Sequence, residues 1–277
     1  MIEEYDIFDE DRKNEVDEKR EGQLDSFSSQ IAVDNNFEQL ITQKCRFDHK
    51  FATNSDFGEI TGEKINVVKN NLAVIDIDIN YKDIKEFLME EDADIAIKEI
   101  QDNLIGVASA NNAIVVKTAS DSYHLYCNGE SIKNDPSLEN KKSSYIKAFE
   151  YKKTFEFEDG SNVEIKLFDV DIFVPTKFGA NCGVMLPGSR VINKKGEYAC
   201  YTIIYDKDDI DEKICSLDEV WDNFQELYEV GSLQTIWSNE KEPQTPYRAK
   251  KLNDSDLIKN GMSKEMFDLI IKGFNGI

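Results

Sequence analysis

The pattern of hydrophobic and polar positions divides the chain into three parts. Residues 1–30 are dense in charge and lack apolar periodicity, which predicts a disordered tail. Between residues 31 and 235, short apolar runs alternate with segments of helical spacing, which predicts a mixed α/β (α+β) domain. Residues 236–277 join a charged linker that contains proline to a final amphipathic helix. Because little chain is left to cover the apolar side of that helix, we expect this region to lead into a further module.

The same pattern predicts the individual elements of the central domain. Apolar runs and alternating positions predict strands at 72–79, 112–120, 122–128, 182–188 and 197–205, and a hairpin with its turn at Asp159–Gly160. Helical spacing predicts helices at 31–43, at 81–106 with one break and at 216–231, and a helix or mixed segment at 143–153. The helix at 216–231 opens with a capping box of Ser216 and Glu219 and stops at Gly231.

Composition and charge narrow the class of protein. No apolar run approaches the roughly 20 residues that span a bilayer, and the acidic N-terminus is not a signal peptide, so we expect no membrane contact. The five cysteines form no CxxC pair, which predicts reduced thiols in an intracellular protein that is not secreted. The net charge of -22 disfavours nucleic acid as a partner. Segments 1–25 and 206–229 hold most of that charge, however, so a locally positive groove elsewhere is compatible with it.

Two aspartates interrupt the apolar run LAVIDIDI at residues 72–79. A strand points alternate side chains the same way, so Asp76 and Asp78 share one face. Like charges repel by roughly 4 kcal/mol at 4 Å and an effective dielectric of about 20, unless cations neutralise them. Carboxylate oxygens suit Mg²⁺ or Mn²⁺, and two such ions stabilise both the attacking and the leaving oxygen of a phosphoryl transfer. The pattern therefore predicts a metal site, while a turn or surface feature is the simpler alternative.

A third acid and two polar residues extend this candidate site. The segment FDVDIFV offers Asp169 or Asp171 in an apolar setting like that of the first pair. Ser122 and His124 alternate on one face of the predicted strand SYHLYCN, an arrangement suited to gripping phosphate oxygens. A lone histidine is more often structural, so both interpretations of His124 stay open.

Basic residues near two turns are candidates for contacting phosphate. The turn in PGSRVINKKGEY carries Arg190, whose planar guanidinium suits a phosphate group. Lys177, in PTKFG, is a weaker candidate for the same role. The alternative for this segment is a solvated hairpin tip.

Three segments in order resemble motifs of the archaeo-eukaryotic primase superfamily. VIDIDIN resembles its hhhDhD strand, SYHLY its SxH strand, and FDVDIFV followed by VMLPGSR its hD strand. FGEITGEK is similar to the stretch before the first motif in primase-polymerase domains, and the spacing resembles viral primase-helicases. The resemblance spans residues 55–205 and implies a two-part core whose metal site lies on a mixed sheet like that of an RNA-recognition motif. It also implies a primase-polymerase domain over 31–235, with the linker and small C-terminal helical segment of 236–277 as the start of a helicase-linked module.

The resemblance assigns a role to each candidate residue. Asp76, Asp78 and Asp171 would bind two Mg²⁺ or Mn²⁺ ions, with Asp171 preferred over Asp169 because it follows Val170 and precedes the IFV strand. Ser122 and His124 would hold the triphosphate of the incoming nucleotide, and Arg190 matches the basic residue after the third motif. The implied reaction is nucleotidyl transfer on a single-stranded DNA template during DNA replication, from nucleoside triphosphates, with a helicase domain or protein as partner.

Two other classes of function compete with this interpretation. A phosphatase or glycosyltransferase can also carry a DxD motif, but a dehalogenase-type phosphatase wants Thr or Val where Asn80 stands, and a glycosyltransferase needs no SxH strand. A non-catalytic replication or partner-binding module on the same fold would bind template or partner without binding nucleotide and metal. The choice between priming and extension, and between ribonucleotides and deoxyribonucleotides, stays open at this point.

Overall fold

The elements of the protein are taken from a computed structural model, which describes residues 10–32, 42–46, 61–66, 71–133, 135, 145–157, 159–175, 183–192, 197–209 and 211–239. The chain divides into two units, Met1–Glu240 and Lys241–Ile277, and all described residues belong to the first. The helices are α1 (Glu10–Arg20), α2 (Gln23–Ala32), α3 (Tyr81–Phe87), α4 (Glu90–Ala110), α5 (Leu217–Tyr228) and α6 (Leu233–Asn239). The strands are β1 (Thr42–Arg46), β2 (Thr61–Asn66), β3 (Leu72–Ile79), β4 (Ile114–Lys117), β5 (Tyr123–Asn128), β6 (Tyr145–Glu156), β7 (Asn162–Phe173), β8 (Gly183–Met185), β9 (Arg190–Ile192), β10 (Tyr198–Cys200) and β11 (Thr202–Tyr205).

A six-stranded antiparallel sheet organises the described fold. Its strand order is β11-β4-β5-β3-β7-β6, and β1-β2-β8 and β10-β9 form two smaller sheets. The predicted mixed α+β class is therefore confirmed. Strand β3 lies inside the large sheet between β5 and β7, which explains why Ile75 and Ile77 are fully buried and why its sequence is almost continuously apolar.

Helices α4 and α5 cover one face of the large sheet. On this helical face the Tyr123 hydroxyl is hydrogen-bonded to Gln101 of α4. Phe168 packs against Tyr228 of α5, with ring centroids 5.3 Å apart, and Phe149 contacts Trp221 at 6.0 Å. Large aromatic rings bury much apolar area, so these contacts fix α5 on the sheet.

The opposite face of the sheet carries the polar residues and is partly covered by α2. Phe27 of α2 is fully buried and packs edge-on against Tyr126, with ring centroids 4.8 Å apart. The side chain of Gln23 accepts a hydrogen bond from the backbone N–H of Ile203 on the edge strand β11. The Tyr126 hydroxyl donates to the carbonyl of Met185, which ties β8 to this face. We call this side of the sheet the polar face.

Several predicted elements hold and others differ. The break within 81–106 is confirmed between Phe87 and Glu90, the hairpin turns at Gly160 with a positive φ of 78°, and the capping box of Ser216 with Glu219 is present. Residues 10–20 and 23–32 form the helices α1 and α2, where the sequence predicted a disordered tail over 1–30, and Phe27 of α2 is fully buried in the core. The segment 143–153, predicted as a helix or mixed segment, is strand from Tyr145 onward because it pairs with β7.

Two other predicted helices lie partly or wholly outside the described residues. Of the helix predicted at 31–43, Ile31 and Ala32 belong to α2, Thr42 and Gln43 belong to β1, and residues 33–41 lie outside the described residues. The C-terminal amphipathic helix lies outside the described residues. Within the described ranges, every helix is too short or too polar to cross a lipid bilayer.

Candidate functional site

One row of four charged or titratable side chains crosses the polar face of the sheet. In the strand register, Asp76 of β3 is paired directly with His124 of β5 on one side and with Asp171 of β7 on the other. Asp171 is paired in turn with Lys147 of the edge strand β6. Directly paired residues point to the same side of a sheet, with Cβ atoms about 5 Å apart. We call this set, in the order His124–Asp76–Asp171–Lys147, the charged row.

A second, more acidic row lies one step along the same strands. Asp78 is paired with Asp169, and Asp169 with Glu150. Asp78 lies two residues beyond Asp76 on β3, so both rows share the polar face. The structure therefore brings the three predicted metal ligands onto one face of two neighbouring strands.

The alternation of residues in β3 fixes this arrangement. Ile75 and Ile77 are buried, whereas Asp76 is half-buried and Asp78 is exposed. A slip of one residue would place both aspartates in the apolar layer beneath the helices, which makes the observed register strongly preferred. The apolar positions of LAVIDIDI thus determine where its carboxylates point.

His124 is held tightly beside Asp76. Its Nε2 atom lies 3.4 Å from an Asp76 carboxylate oxygen, and its residue exposure is 6%. The imidazole lies near the rings of Tyr126 and Tyr201, at centroid distances of 6.1 and 5.6 Å. Within the described part of the chain, the buried Nδ1 atom has no hydrogen-bond partner. A buried polar atom without a partner is costly, so this nitrogen adds an unfavourable contribution to the site.

Asp171 lies in an environment that disfavours its charge. Burial and the neighbouring Asp76 carboxylate raise the pKa of Asp171 to about 6, and Lys147 opposes this shift only partly. Asp78 and Asp169 add further negative charge. The acid pair across β3 and β7 therefore has unbalanced negative charge that a bound cation would neutralise.

Asp169 differs from Asp171 because it already has a cationic partner. The Nζ atom of Lys166 lies 2.9 and 3.1 Å from the two carboxylate oxygens of Asp169. Lys166 also lies 3.9 Å from Glu150. Of the two acids that the sequence left as alternatives, Asp171 faces Asp76 directly, and Asp169 is neutralised within its own strand.

Ser122 has a role in joining strands. Its hydroxyl oxygen accepts a hydrogen bond of 3.1 Å from the backbone N–H of Ile79, and the residue is buried. Its own N–H donates to the Thr118 hydroxyl. The side chain therefore ties the end of β3 to the start of β5, beside the second acidic row. Its predicted contact with a phosphate stays a prediction.

The remaining predicted residues are only partly described. Arg190 begins β9, and its backbone position is given without its side chain. Lys177 lies outside the described residues. No group of three or more His, Cys, Asp or Glu side chains within the described ranges lies close enough together to hold a metal ion. Metal binding by Asp76, Asp78 and Asp171 therefore stays a prediction that rests on their shared face and register.

Two residues of the site were missed in the sequence. Tyr201 lies against His124, and burial together with the charges of Asp76 and Asp78 raises its pKa, which keeps the phenol neutral. Lys147 lies in a segment whose strand character was not recognised, and its place beside Asp171 depends on long-range pairing. The apolar alternation of 197–205 was visible, but nothing in it singled out Tyr201.

Comparison with known proteins adds nothing to this geometry. No protein-family model matches the chain, and no curated protein matches its sequence.

Proposed function

We propose that this chain is a DNA-templated nucleotidyltransferase of the primase-polymerase type, which makes or extends primers from nucleoside triphosphates. The observation that carries the proposal is the pairing of Asp76 with Asp171 on one side and with His124 on the other. This pairing unites residues from the three segments that resemble primase motifs. A chance occurrence of three short motifs would not require them to meet in one row of a sheet.

The connectivity of the sheet supports the same proposal. Strands β3, β4, β5 and β7 follow one another in the chain, apart from the added hairpin strand β6, and lie in the order β4-β5-β3-β7. Of these four strands, β3 and β5 lie in the centre. Helices α3 and α4 connect β3 to β4. This is the arrangement of the four-stranded sheet in an RNA-recognition motif. The large sheet is antiparallel in all its described pairs and not mixed as predicted, but its strand order supports the likeness to an RNA-recognition motif that the resemblance implies.

The donor set fits a hard divalent cation. Asp76, Asp78 and Asp171 supply carboxylate oxygens on one face, and burial together with the neighbouring carboxylates raises the pKa of Asp171. When bound, Mg²⁺ or Mn²⁺ would neutralise the charge that develops on the triphosphate during transfer. The three aspartates are thus the residues that would hold these ions.

The other residues of the site would position the substrate. His124 is fixed by Asp76 and two aromatic rings, so its orientation is set before a ligand arrives. The imidazole would contact a phosphate oxygen on the β5 side of the acids. Ser122 keeps the ends of β3 and β5 together. Positioning and charge neutralisation provide most of the catalysis in phosphoryl transfer, so a rigid sheet suits this chemistry.

A second candidate is a non-catalytic replication or partner-binding module on the same sheet. It is favoured by the finding that the described residues hold no ready-made group of metal ligands. Such a module would bind DNA or a protein partner without consuming nucleotides. The two candidates therefore differ in whether a product is formed.

Primer synthesis and extension test the proposal. The full chain is incubated with Mn²⁺ or Mg²⁺, nucleoside triphosphates and single-stranded DNA, with and without an annealed primer. We expect labelled products from the wild type and a loss of at least about 100-fold in Asp76→Asn. Asp102→Asn, an exposed acid on α4 that pairs with Lys98, is the matched control and should retain activity. DNA binding without any product in the wild type would favour the non-catalytic module.

A further inference from the structure

Lys147 lies at the open end of the charged row. It is exposed on β6, the edge strand of the sheet, and is paired in register with Asp171 of β7. Directly paired residues have Cβ atoms about 5 Å apart, so Lys147 lies beside Asp171 on the polar face. The row is thus acidic in its centre, with His124 and Lys147 at its two ends.

The pairing of β6 with β7 shifts register next to Lys147. Lys147 is paired with Asp171, but Phe149 is paired with Val170, so the register shifts at Ala148. The shift lets Phe149 join the aromatic cluster beneath α5 while Lys147 stays on the polar face beside Asp171. Such bulges re-aim side chains and are frequent next to active sites. In a regular strand both residues would point to the same side.

The other lysines of this hairpin are already paired with acids. Lys152 lies 3.3 Å from Glu164, and Lys153 lies 2.8 Å from Glu99. Lys166 binds Asp169. Lys147 forms no ion pair within the described part of the chain. It is therefore the lysine of β6 and β7 whose charge is available to an external anion.

We propose that Lys147 binds a backbone phosphate of the nucleic-acid strand that enters the site along the β6 edge. This inference rests on the proposed function. His124 and Lys147 are three strands apart, and neighbouring strands are about 4.8 Å from each other, so their backbones lie roughly 14 Å apart. A phosphate beside His124 and a phosphate beside Lys147 are then different groups. The nucleotide lies on the β5 side of the acids and the strand on the β6 side.

Because the protein is acidic, a lysine contact to phosphate contributes directly to its affinity for nucleic acid. Backbone phosphates supply most of the affinity of proteins for nucleic acids, through lysine and arginine. The chain has a net charge of -22, and the second row adds Asp78, Asp169 and Glu150 near the same edge. A nucleic-acid strand therefore needs local cations to approach, and Lys147 is one at the point of entry.

Binding assays without catalysis test this role. Fluorescence anisotropy measures the affinity for a labelled primer–template at several salt concentrations, in wild type, Lys147→Ala, Lys147→Arg and the control Lys152→Ala. We expect Lys147→Ala to weaken binding about fivefold and to reduce the salt slope by about one. Lys147→Arg should restore binding, and Lys152→Ala should resemble the wild type, because Lys152 is already paired with Glu164.

A second assay identifies the source of the phosphate. Affinity for a fluorescent nucleoside triphosphate is measured in the same proteins without DNA. We expect it to be unchanged in Lys147→Ala, and a loss confined to nucleotide binding would overturn the assignment to the strand. If the wild type makes primers but Lys147→Ala binds primer–template like Lys152→Ala, the role of Lys147 is wrong and the proposed function stands. If the wild type binds neither ligand, both fail.

Discussion

Asp76 and Asp171 face each other directly across two antiparallel strands, and the pKa of Asp171 is raised to about 6 by burial and by its partner. The charged form of Asp171 therefore lowers the stability of the fold at neutral pH. Perturbed pKa values cluster at functional sites.

Asp171→Asn should stabilise the protein at neutral pH while it removes activity. An unfolded Asp has a pKa near 3.9, so the folded state binds the proton more tightly, and stability falls as the pH rises from about 4 to about 6. Below pH 4 the two proteins should be equally stable. At pH 7.5 the variant should be more stable by about 1 kcal/mol, after allowance for solvent screening. Urea unfolding at pH 4 and pH 7.5 measures the difference, and a gain of equal size at both pH values would contradict this cause.

Asp169→Asn should retain most of the nucleotidyl-transfer activity that Asp171→Asn loses. Lys166 already neutralises Asp169, whereas Asp171 faces Asp76 across the strands. We expect a loss of less than about tenfold for Asp169→Asn and at least about 100-fold for Asp171→Asn. Primer extension under identical conditions compares the two variants. Equal losses would mean that both acids serve the reaction.

Ser122→Ala should destabilise the fold. The Ser122 hydroxyl accepts a hydrogen bond from the buried backbone N–H of Ile79, and alanine would leave that donor without a partner. The expected loss is about 1–3 kcal/mol in the free energy of unfolding. Chemical denaturation gives the value, and Ser109→Ala, on an exposed contact to Asp208, serves as control. Unchanged stability together with weaker nucleotide binding would assign Ser122 to the substrate alone.

The N-terminal helices should be part of the folded domain. Phe27 is fully buried against Tyr126, so Phe27→Ala should lower the free energy of unfolding by about 3–5 kcal/mol. Phe87→Ala, at a phenylalanine that is 44% exposed, is the matched control and should have a much smaller effect. Thermal unfolding of the three proteins measures both changes. Equal melting temperatures for wild type and Phe27→Ala would show that α2 is dispensable.

The sequence predicted the parts of the site that depend on local alternation. Asp76 and Asp78 follow from the apolar positions of β3, and the hairpin turn at Gly160 follows from its own residues. The tail was misjudged because its charge obscured Leu24, Phe27 and Ile31, whose spacing is that of a buried helical stripe. The prediction of disorder rested on the density of charge. It overlooked an apolar stripe that packs a short helix on the core.

Long-range pairing decides what the sequence did not predict. β6 is rich in lysine and glutamate, and it becomes a strand through its pairing with β7 along almost its whole length. The neighbourhood of Lys147 and Asp171 depends on that pairing and on the register shift at Ala148. The choice of Asp171 over Asp169 likewise rests on Lys166, whose contact is visible only once the strands are folded.

Binding of Mn²⁺ tests the central claim most directly. Isothermal titration calorimetry or electron paramagnetic resonance measures Mn²⁺ bound to the full chain in the presence of a non-hydrolysable nucleoside triphosphate. Because Asp76 and Asp171 share one face, we expect wild type and Asp169→Asn to bind the ion, and Asp76→Asn and Asp171→Asn to bind it at least about tenfold more weakly. Equal Mn²⁺ binding by all four proteins, or none by the wild type beyond the nucleotide alone, would contradict a metal site at these acids.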